Sequence, residues 1–367
     1  MALNRFSIRR ANCLNKMQDF GMDQLIVSSK YNLKYLLGTD LETGERMTVL
    51  LMSSDNKSKL FIHEMFFDQA PSSNEIEVVF YRDDMNPIQL LATSISKSRT
   101  LGIDLNWSSS YLLDILKIVP KSHIQKSTIV EQLREIKDEK EIETLRQSAR
   151  IADAVMHQVV QLQYFPSTER EIAGTIRSFF AEHGINELSF KPIIGFGKNS
   201  ANPHHTISDQ ISYPDEPILI DMGGLYNDYC SDITRTFFRG KVNSKYEDLY
   251  KIVKDLQMQA IEIIKPGVPF SEVDLLIRKG FAKWGYEHYF IHRTGHGIGL
   301  ELHEGPFIHG NNHELIKEGM AFSIEPGLYL PDHYGIRIED IVVVKNGGCE
   351  VLNLFSKEVQ YLELLGI

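Results

Sequence analysis

Cysteine is scarce: the 367-residue chain holds Cys13, Cys230 and Cys349 and no others. An odd number of cysteines, far apart, makes neither a disulfide framework nor a cysteine metal site, and it suits a reducing compartment. Long hydrophobic runs are missing, so no segment reads as a bilayer span. The N-terminal MALNRFSIRRANCLNKMQDFGMDQLIV has basic residues but no continuous apolar stretch and no small-residue cleavage site. Sec-type export is therefore not expected, and a cytoplasmic location is. Positive charge is in deficit, with 39 Lys and Arg against 49 Asp and Glu and a formal net charge of −10. That balance argues against a nucleic-acid partner. With 43% hydrophobic and 24% charged residues, the chain reads as a globular protein long enough for two domains.

Several common motifs are absent as well. His63-Glu64, His303-Glu304 and His313-Glu314 all lack the second histidine of the single-zinc pattern H-E-x-x-H. Gly295 and Gly297 would need Gly or Ala at position 300 to make a dinucleotide fingerprint, and Leu300 stands there. Gly195-Phe196-Gly197 lacks the Lys-Ser/Thr of a phosphate-binding loop. No organic cofactor is expected.

What is present alternates. A helix over Arg5 to Phe20 is followed by short apolar strands at 23–29, 47–53, 59–63, 74–81 and 100–105, the pattern of an α/β sheet. A charged segment at 134–147 then opens a long helix, with Ile142, Leu145, Ala149, Ala152, Val155 and Val159 at helical spacing and Pro166 closing the run. A second helix starts at the capping box Thr168-x-x-Glu171. EPILIDMG (216–223) and YCSDITRTFF (229–238) read as a strand pair. Helices at about 244–264 and 271–285 follow, the latter opening on Ser271-x-x-Asp274, and AFSIEPG (321–327) and GIRIEDIVVV (335–344) read as another strand pair. Helix, helix, hairpin thus occurs twice, and two such halves would meet in a central sheet with helices on one side. The domain boundary is expected near 128, giving segments 1–128 and 129–367.

The acidic residues are out of place for buried strands. Asp221 follows Ile218-Leu219-Ile220, and Asp232 lies in Tyr-Cys-Ser-Asp-Ile-Thr. A two-residue turn at Tyr226-Asn227 would set them opposite each other, roughly 5 Å apart at Cβ. Carboxylates that close repel unless a proton or cation intervenes. Glu325 and Glu339 interrupt the second strand pair in the same way. Any one of these acids is most simply a solvated strand position, but four in paired hairpins point to divalent cations. HRTGHGIGLELHEGP (292–306) adds His296 between two glycines, a backbone that can pass close to a metal where a Cβ would clash. Carboxylate-rich donors favour Mn²⁺, and a histidine also admits Co²⁺, Zn²⁺ or Fe²⁺.

IDMGGLYNDYCSDITRTF, HRTGHGIGLELHEGP, FSIEPGLY and GIRIEDIVVV resemble the four signature segments of the creatinase-fold metallopeptidases, nearest to aminopeptidase P and the Xaa-Pro dipeptidases (prolidases). The resemblance implies an α+β protein: a C-terminal pita-bread catalytic domain after a smaller α/β creatinase-type domain. It implies two divalent metal ions, held by Asp221 on one, Asp232 and Glu339 bridging, and His296 and Glu325 completing the second. A metal-bridging water or hydroxide would attack the scissile carbonyl, with Glu325 taking its proton. His292 and His303 match active-site positions that hydrogen-bond the substrate carbonyl. His204 matches a residue near the leaving side and Arg337 an arginine that compensates charge beside the bridging Glu, while His205 carries no such match and is read as structural.

The activity implied is hydrolysis of the bond before a proline at the second position of a peptide. Prolidases often carry an arginine after His-Glu-x-Pro to grip a substrate carboxylate. Phe307 stands there, which tilts the reading towards aminopeptidase P, with Xaa-Pro dipeptidase as the alternative. Methionine aminopeptidase, metal-free creatinase and a non-catalytic pita-bread binding protein fit less well, given the extra N-terminal domain and the complete ligand set. The resemblance also implies a homodimer. Cys230 reads as a small buried residue, and His63, His123, His157, His183, His288, His309, His313 and His333 match no motif.

Overall fold

The apolar runs of the first third become strands because their flanking turn residues stop them after a few residues. In the computed structural model, which describes residues 4–96, 99–120, 123–162, 168–240 and 243–362, the chain divides into units Met1–Arg134 and Glu135–Ile367. The first unit has strands β1 (Gln24–Val27), β2 (Val49–Ser53), β3 (Ser58–His63), β4 (Ile76–Tyr81), β5 (Leu101–Ile103) and β6 (Ile124–Lys126). They form one sheet in the order β4-β3-β2-β1-β5-β6, antiparallel at β1–β2 and β2–β3 and parallel elsewhere. Helices α1 (Arg5–Asp19), α2 (Lys30–Leu37), α3 (Pro87–Ala92), α4 (Ser109–Ile115) and α5 (Ile129–Arg134) accompany it. Ile26, Val49, Leu51, Phe61, Leu101 and Ile115 share its core. Arg134 donates to Asn32 Oδ1 at 2.8 Å and so holds α5 in this unit.

The second unit opens with α6 (Glu139–Val160) and α7 (Glu169–Glu182), each started by a complete capping box, Asp138 with Glu141 and Thr168 with Glu171. Such caps satisfy amide groups that the first helical turn leaves bare, an effect worth about 1 kcal/mol each. Pro166, expected to close the first of these helices, lies outside the described residues. Strands β7 (Ile193–Phe196), β8 (Glu216–Met222), β9 (Leu225–Tyr226), β10 (Tyr229–Cys230) and β11 (Ile233–Arg239) follow. Then come α8 (Ser244–Ile263), α9 (Phe270–Lys283), β12 (Gly295–Gly297), β13 (Glu304–Ile308), β14 (Ala321–Ile324), β15 (Gly327–Leu330), β16 (Tyr334–Arg337), β17 (Asp340–Lys345), β18 (Gly348–Val351) and β19 (Tyr361–Leu362). The sheets run β19-β11-β8-β7 and β13-β12-β14-β17-β18, with β9-β10 and β15-β16 as separate pairs. The succession helix, helix, antiparallel strand pair (β8-β11, then β14-β17) occurs twice, as the sequence rhythm predicts, with β7 and β12 as a further neighbour in each, but the two halves keep separate hydrogen-bonded sheets instead of sharing one. Each half has its own core, Ile176, Phe180, Ile218 and Phe237 in one and Val253, Phe281, Phe322 and Val342 in the other. The halves are joined by the Thr234–Glu339 bridge, and Thr236 Oγ1 lies 3.1 Å from both the N and the O of Arg337.

Three local expectations are corrected. The turn between β9 and β10 falls at Asn227-Asp228, both with positive φ (45° and 73°), not at Tyr226-Asn227. Asn and Asp enter the left-handed region far more readily than Tyr. The register shifts accordingly, and Asp221 pairs with Thr234 instead of Asp232. Helix α9 is capped by backbone at Pro269, and Ser271 makes no cap. Asp274 accepts instead from Thr294 Oγ1 at 2.8 Å and Arg278 Nε at 2.7 Å. Finally, GIRIEDIVVV is two strands in different sheets. β14 pairs with β17 while β15 pairs with β16, so Glu325 and Glu339 both sit where the chain leaves one sheet for the other. An acid at such a break interrupts no ladder, which is how a buried sheet tolerates it.

Candidate metal centre

One cavity of about 620 Å³ collects every site residue named from the sequence. Asp221, Asp232, His296, Glu325 and Glu339 line it, together with His204, His205, His292, His303 and Arg337. Asp221 comes from the end of β8, and Asp232 immediately precedes β11. His296 is the middle residue of β12, Glu325 follows β14, and Glu339 precedes β17.

Candidate ligand atoms of Asp232, His296 and Glu339 all lie within 4.8 Å of one another. His296 Nε2 is 3.7 Å from Asp232 Oδ2 and 3.6 Å from Glu325 Oε1. Its Nδ1 lies 3.1 Å from the Gly297 carbonyl, which can only accept, so the ring hydrogen sits on Nδ1 and the Nε2 lone pair is free for a cation. Burial, with His303 nearby, pushes the His296 pKa down to about 3, so the ring is neutral, as a ligand must be.

The carboxylates need a cation. Asp232 is held well above the usual range by burial first, then by Glu339, Asp221 and Glu325. Glu339 is raised by burial and by Glu325 and Asp221. Burial also pushes Glu325 up to about 7. Three buried oxygens, Asp221 Oδ1, Asp232 Oδ1 and Glu339 Oε1, have no hydrogen-bond partner among the described residues. Buried, unpaired carboxylate oxygens are among the costliest groups to leave in a protein interior. Two of the other oxygens are hydrogen-bonded: Asp221 Oδ2 accepts from Arg337 Nη2 at 2.6 Å and Glu339 Oε2 from Thr234 Oγ1 at 2.6 Å. Oxygens with no partner beside a free imidazole lone pair form a donor set that fits divalent metal.

The glycines around His296 answer a different need from the one the sequence suggested. A Cβ on Gly295 would lie 1.9 Å from the Ser323 carbonyl oxygen, and one on Gly297 would lie 2.1 Å from that of Gly305. The close approach is to the backbones of the neighbouring strands.

The other histidines differ in what their nitrogens have left to offer. His292 Nδ1 lies 2.7 Å from the Arg293 carbonyl and must donate to it. Burial and Arg337 lower its pKa to about 3, so Nε2 is an acceptor, and it takes the Tyr329 hydroxyl at 2.9 Å. Both nitrogens are thereby used. The donation to substrate expected of His292 would need one of these bonds released; as placed, the ring supports Tyr329, whose oxygen accepts from Arg337 Nη1 at 2.7 Å. The ring of His303 has no hydrogen-bond partner among the described residues and stands edge-on to His296, centroids 4.3 Å apart. Burial and Arg293 lower its pKa. His204 is exposed at the cavity.

Sequence reasoning missed Thr234, Tyr329 and Arg293. Thr234 lies two residues beyond Asp232, the strand period that keeps side chains on one face, and that signal could have found it. Arg293 lines the cavity with its guanidinium 4.3 Å from the centroid of the Phe307 ring. No sequence spacing announces that stack.

Residues 143–346 match the Metallopeptidase family M24 profile, and residues 9–136 match the Creatinase/Prolidase N-terminal domain. An uncharacterized peptidase of Staphylococcus aureus is 34% identical over 345 residues, 94% of this chain and 98% of that protein. Among solved structures, a prolidase from Thermococcus sibiricus is 32% identical, with 99% of this chain and 100% of that chain covered at a TM-score of 0.90. The dipeptidase PepE from Mycobacterium ulcerans is 30% identical, with 98% of both chains covered at a TM-score of 0.93. With its catalytic domain in the pita-bread fold and a creatinase-type domain before it, the chain belongs to metallopeptidase family M24.

Proposed function

We propose that the protein is an exopeptidase that hydrolyses the bond between an N-terminal residue and a following proline. The observation that carries the reading is the set of partnerless carboxylate oxygens around the free Nε2 of His296, in the lining of a cavity of about 620 Å³. Asp221, Asp232, His296, Glu325 and Glu339 would hold two divalent ions, with Mn²⁺ favoured by so many oxygen donors. Ions bound there supply Lewis acidity and make water a competent nucleophile near neutral pH.

The chain's own groups do the rest. Glu325, a carboxylate at the cavity beside His296 Nε2, would take a proton from the attacking water and pass it on. His303, with no protein partner on its ring, donates to the carbonyl oxygen as negative charge develops there. His204 delivers a proton to the leaving nitrogen. Arg337 keeps Asp221 in place through its bond to Oδ2. Phe190, Pro192, Ile193, Ile207 and Leu302 give the cavity an apolar wall against which a proline ring can lie.

A second reading, strict dipeptidase, is favoured by Arg293. Phe307 lacks a charge, but the Arg293 guanidinium lies over its ring and faces the same cavity, so a cation for a dipeptide's carboxylate is present after all. The prolidase and dipeptidase names of the two solved relatives support this reading, and the absence of an arginine at 307 supports the aminopeptidase one. A series of Xaa-Pro, Xaa-Pro-Yaa and longer peptides decides between them: turnover of dipeptides alone selects the dipeptidase, and turnover rising with length selects the aminopeptidase. No cleavage before proline at any length overturns both. A homodimer and a cytoplasmic location belong to the proposal on the strength of the family resemblance. No helix among the described residues is long and apolar enough to cross a membrane.

A further inference from the structure

Glu169 is the first residue of α7 and is completely buried. Among the described residues no lysine or arginine pairs with it. Its partners are hydrogen-bond donors. Oε1 accepts from Phe196 N at 3.0 Å and Asn199 Nδ2 at 2.8 Å. Oε2 accepts from Ser208 N at 2.9 Å, Ser208 Oγ at 2.7 Å and His205 Nε2 at 2.8 Å. Burial alone would raise its pKa, but these bonds outweigh burial and hold it below the usual range. It is a charged group maintained inside the protein by donors from both ends of one segment, 196–208.

That segment carries His204 and His205 to the cavity. Its middle is fastened elsewhere: Gly335 N donates to Ser200 Oγ at 2.7 Å, on the strand that ends at Arg337. The segment is therefore pinned between β16 and Glu169. Because a carboxylate only accepts, His205 must carry its hydrogen on Nε2. His204 N donates to Asn202 Oδ1 at 3.0 Å, and its ring has no hydrogen-bond partner among the described residues.

We propose that Glu169 is a positioning residue for peptide cleavage: its buried carboxylate pins the 196–208 segment and the His205 tautomer, and thereby places His204 against the leaving side of the substrate. The inference rests on the role given to His204 above. Displacement of a catalytic group by an ångström is enough to cost about 10²-fold in rate.

The test compares wild type, Glu169→Gln, His204→Ala and the double variant, as metal-loaded full-length protein, on an Xaa-Pro dipeptide. Glutamine keeps the shape but replaces one acceptor with a donor that faces other donors. Glu169→Gln should lower kcat about 10–100-fold with KM and bound metal little changed. In the His204→Ala background the same substitution should cost no more than about two-fold, since the effect runs through His204. An equal loss in both backgrounds, or an unchanged kcat, overturns the proposal. Should Glu169→Gln fail to fold, His205→Ala, which keeps the carboxylate, takes its place in the same cycle. Histidine side-chain ¹H–¹⁵N NMR reads the clamp without activity: His205 should be the Nε2–H tautomer in wild type and a mixture in Glu169→Gln. A wild type that cleaves nothing before proline but keeps that tautomer defeats the functional reading and leaves the clamp standing. A wild-type His205 protonated on Nδ1 alone defeats the clamp.

Discussion

Arg337 donates to Asp221 Oδ2 at 2.6 Å and to Thr234 Oγ1 at 3.0 Å, the same threonine that donates to Glu339 Oε2 at 2.6 Å. One guanidinium thus orients a carboxylate from each half of the catalytic domain. A lysine has the charge but lacks the planar fork that reaches several acceptors at once. Arg337→Lys is expected to weaken metal binding about 10–100-fold, measured by calorimetric titration of Mn²⁺. An affinity equal to wild type would show that Asp221 is held by something else.

His292 is hydrogen-bonded to Tyr329. Its two ring nitrogens are occupied by the Arg293 carbonyl and the Tyr329 hydroxyl, which itself accepts from Arg337. Tyr329→Phe and His292→Ala should each lower kcat/KM, and the double variant should be little worse than the more damaging single one. Coupled residues give such non-additivity. Independent, multiplying losses would return His292 to a direct role with substrate.

Metal binding should release protons, and more at pH 6 than at pH 8. In the metal-free protein Glu325 is pushed up to about 7, so at pH 6 it holds a proton that a metal must displace, and Asp232 and Glu339 are raised in the same direction by burial and by their neighbouring carboxylates. His296, lowered to about 3, is already neutral and contributes none in this range. Calorimetry of Mn²⁺ binding in buffers of different ionisation enthalpy counts the protons. A count that does not fall between pH 6 and pH 8 contradicts a Glu325 raised to about 7.

Arg293 should discriminate by chain length. A charge-assisted bond to a substrate carboxylate is worth about 1.5–3 kcal/mol, so Arg293→Met should raise KM for Xaa-Pro dipeptides by about 10–100-fold. Peptides whose carboxylate lies further along should be affected far less. Equal loss on dipeptides and longer peptides would assign Arg293 to general charge balance beside Glu325.

The helices and the doubled succession of helix, helix and strands were legible because they follow from apolar spacing and capping boxes that act over a few residues. The site residues were legible as types: acids where strands should be apolar, and a histidine between glycines. What the sequence could not show was register and sheet exchange. One left-handed pair at Asn227-Asp228 moved the partner of Asp221 to Thr234, and the breaks at Glu325 and Glu339 depend on pairings between strands far apart in the chain. Nor could it show what each nitrogen bonds. His292 and His303 look alike in HRTGHGIGLELHEGP, and only three-dimensional neighbours occupy the first and leave the second free. Glu169 carries no sequence signal of its own inside the Thr168-x-x-Glu171 capping box, since nothing local links it to His205 or Ser208.

The most direct test is the rate of proline release from an Xaa-Pro dipeptide by protein stripped of metal and then refilled with Mn²⁺, with metal per chain measured on the same samples and Asp232→Asn carried alongside. Stripped wild type should be inactive and should regain activity as metal per chain rises towards two. Asp232→Asn should bind less metal and lose at least about 10²-fold in kcat at any loading, as expected when groups that stabilise the reaction's developing charge are lost. Full-rate cleavage by metal-free protein, or by Asp232→Asn, would contradict the account.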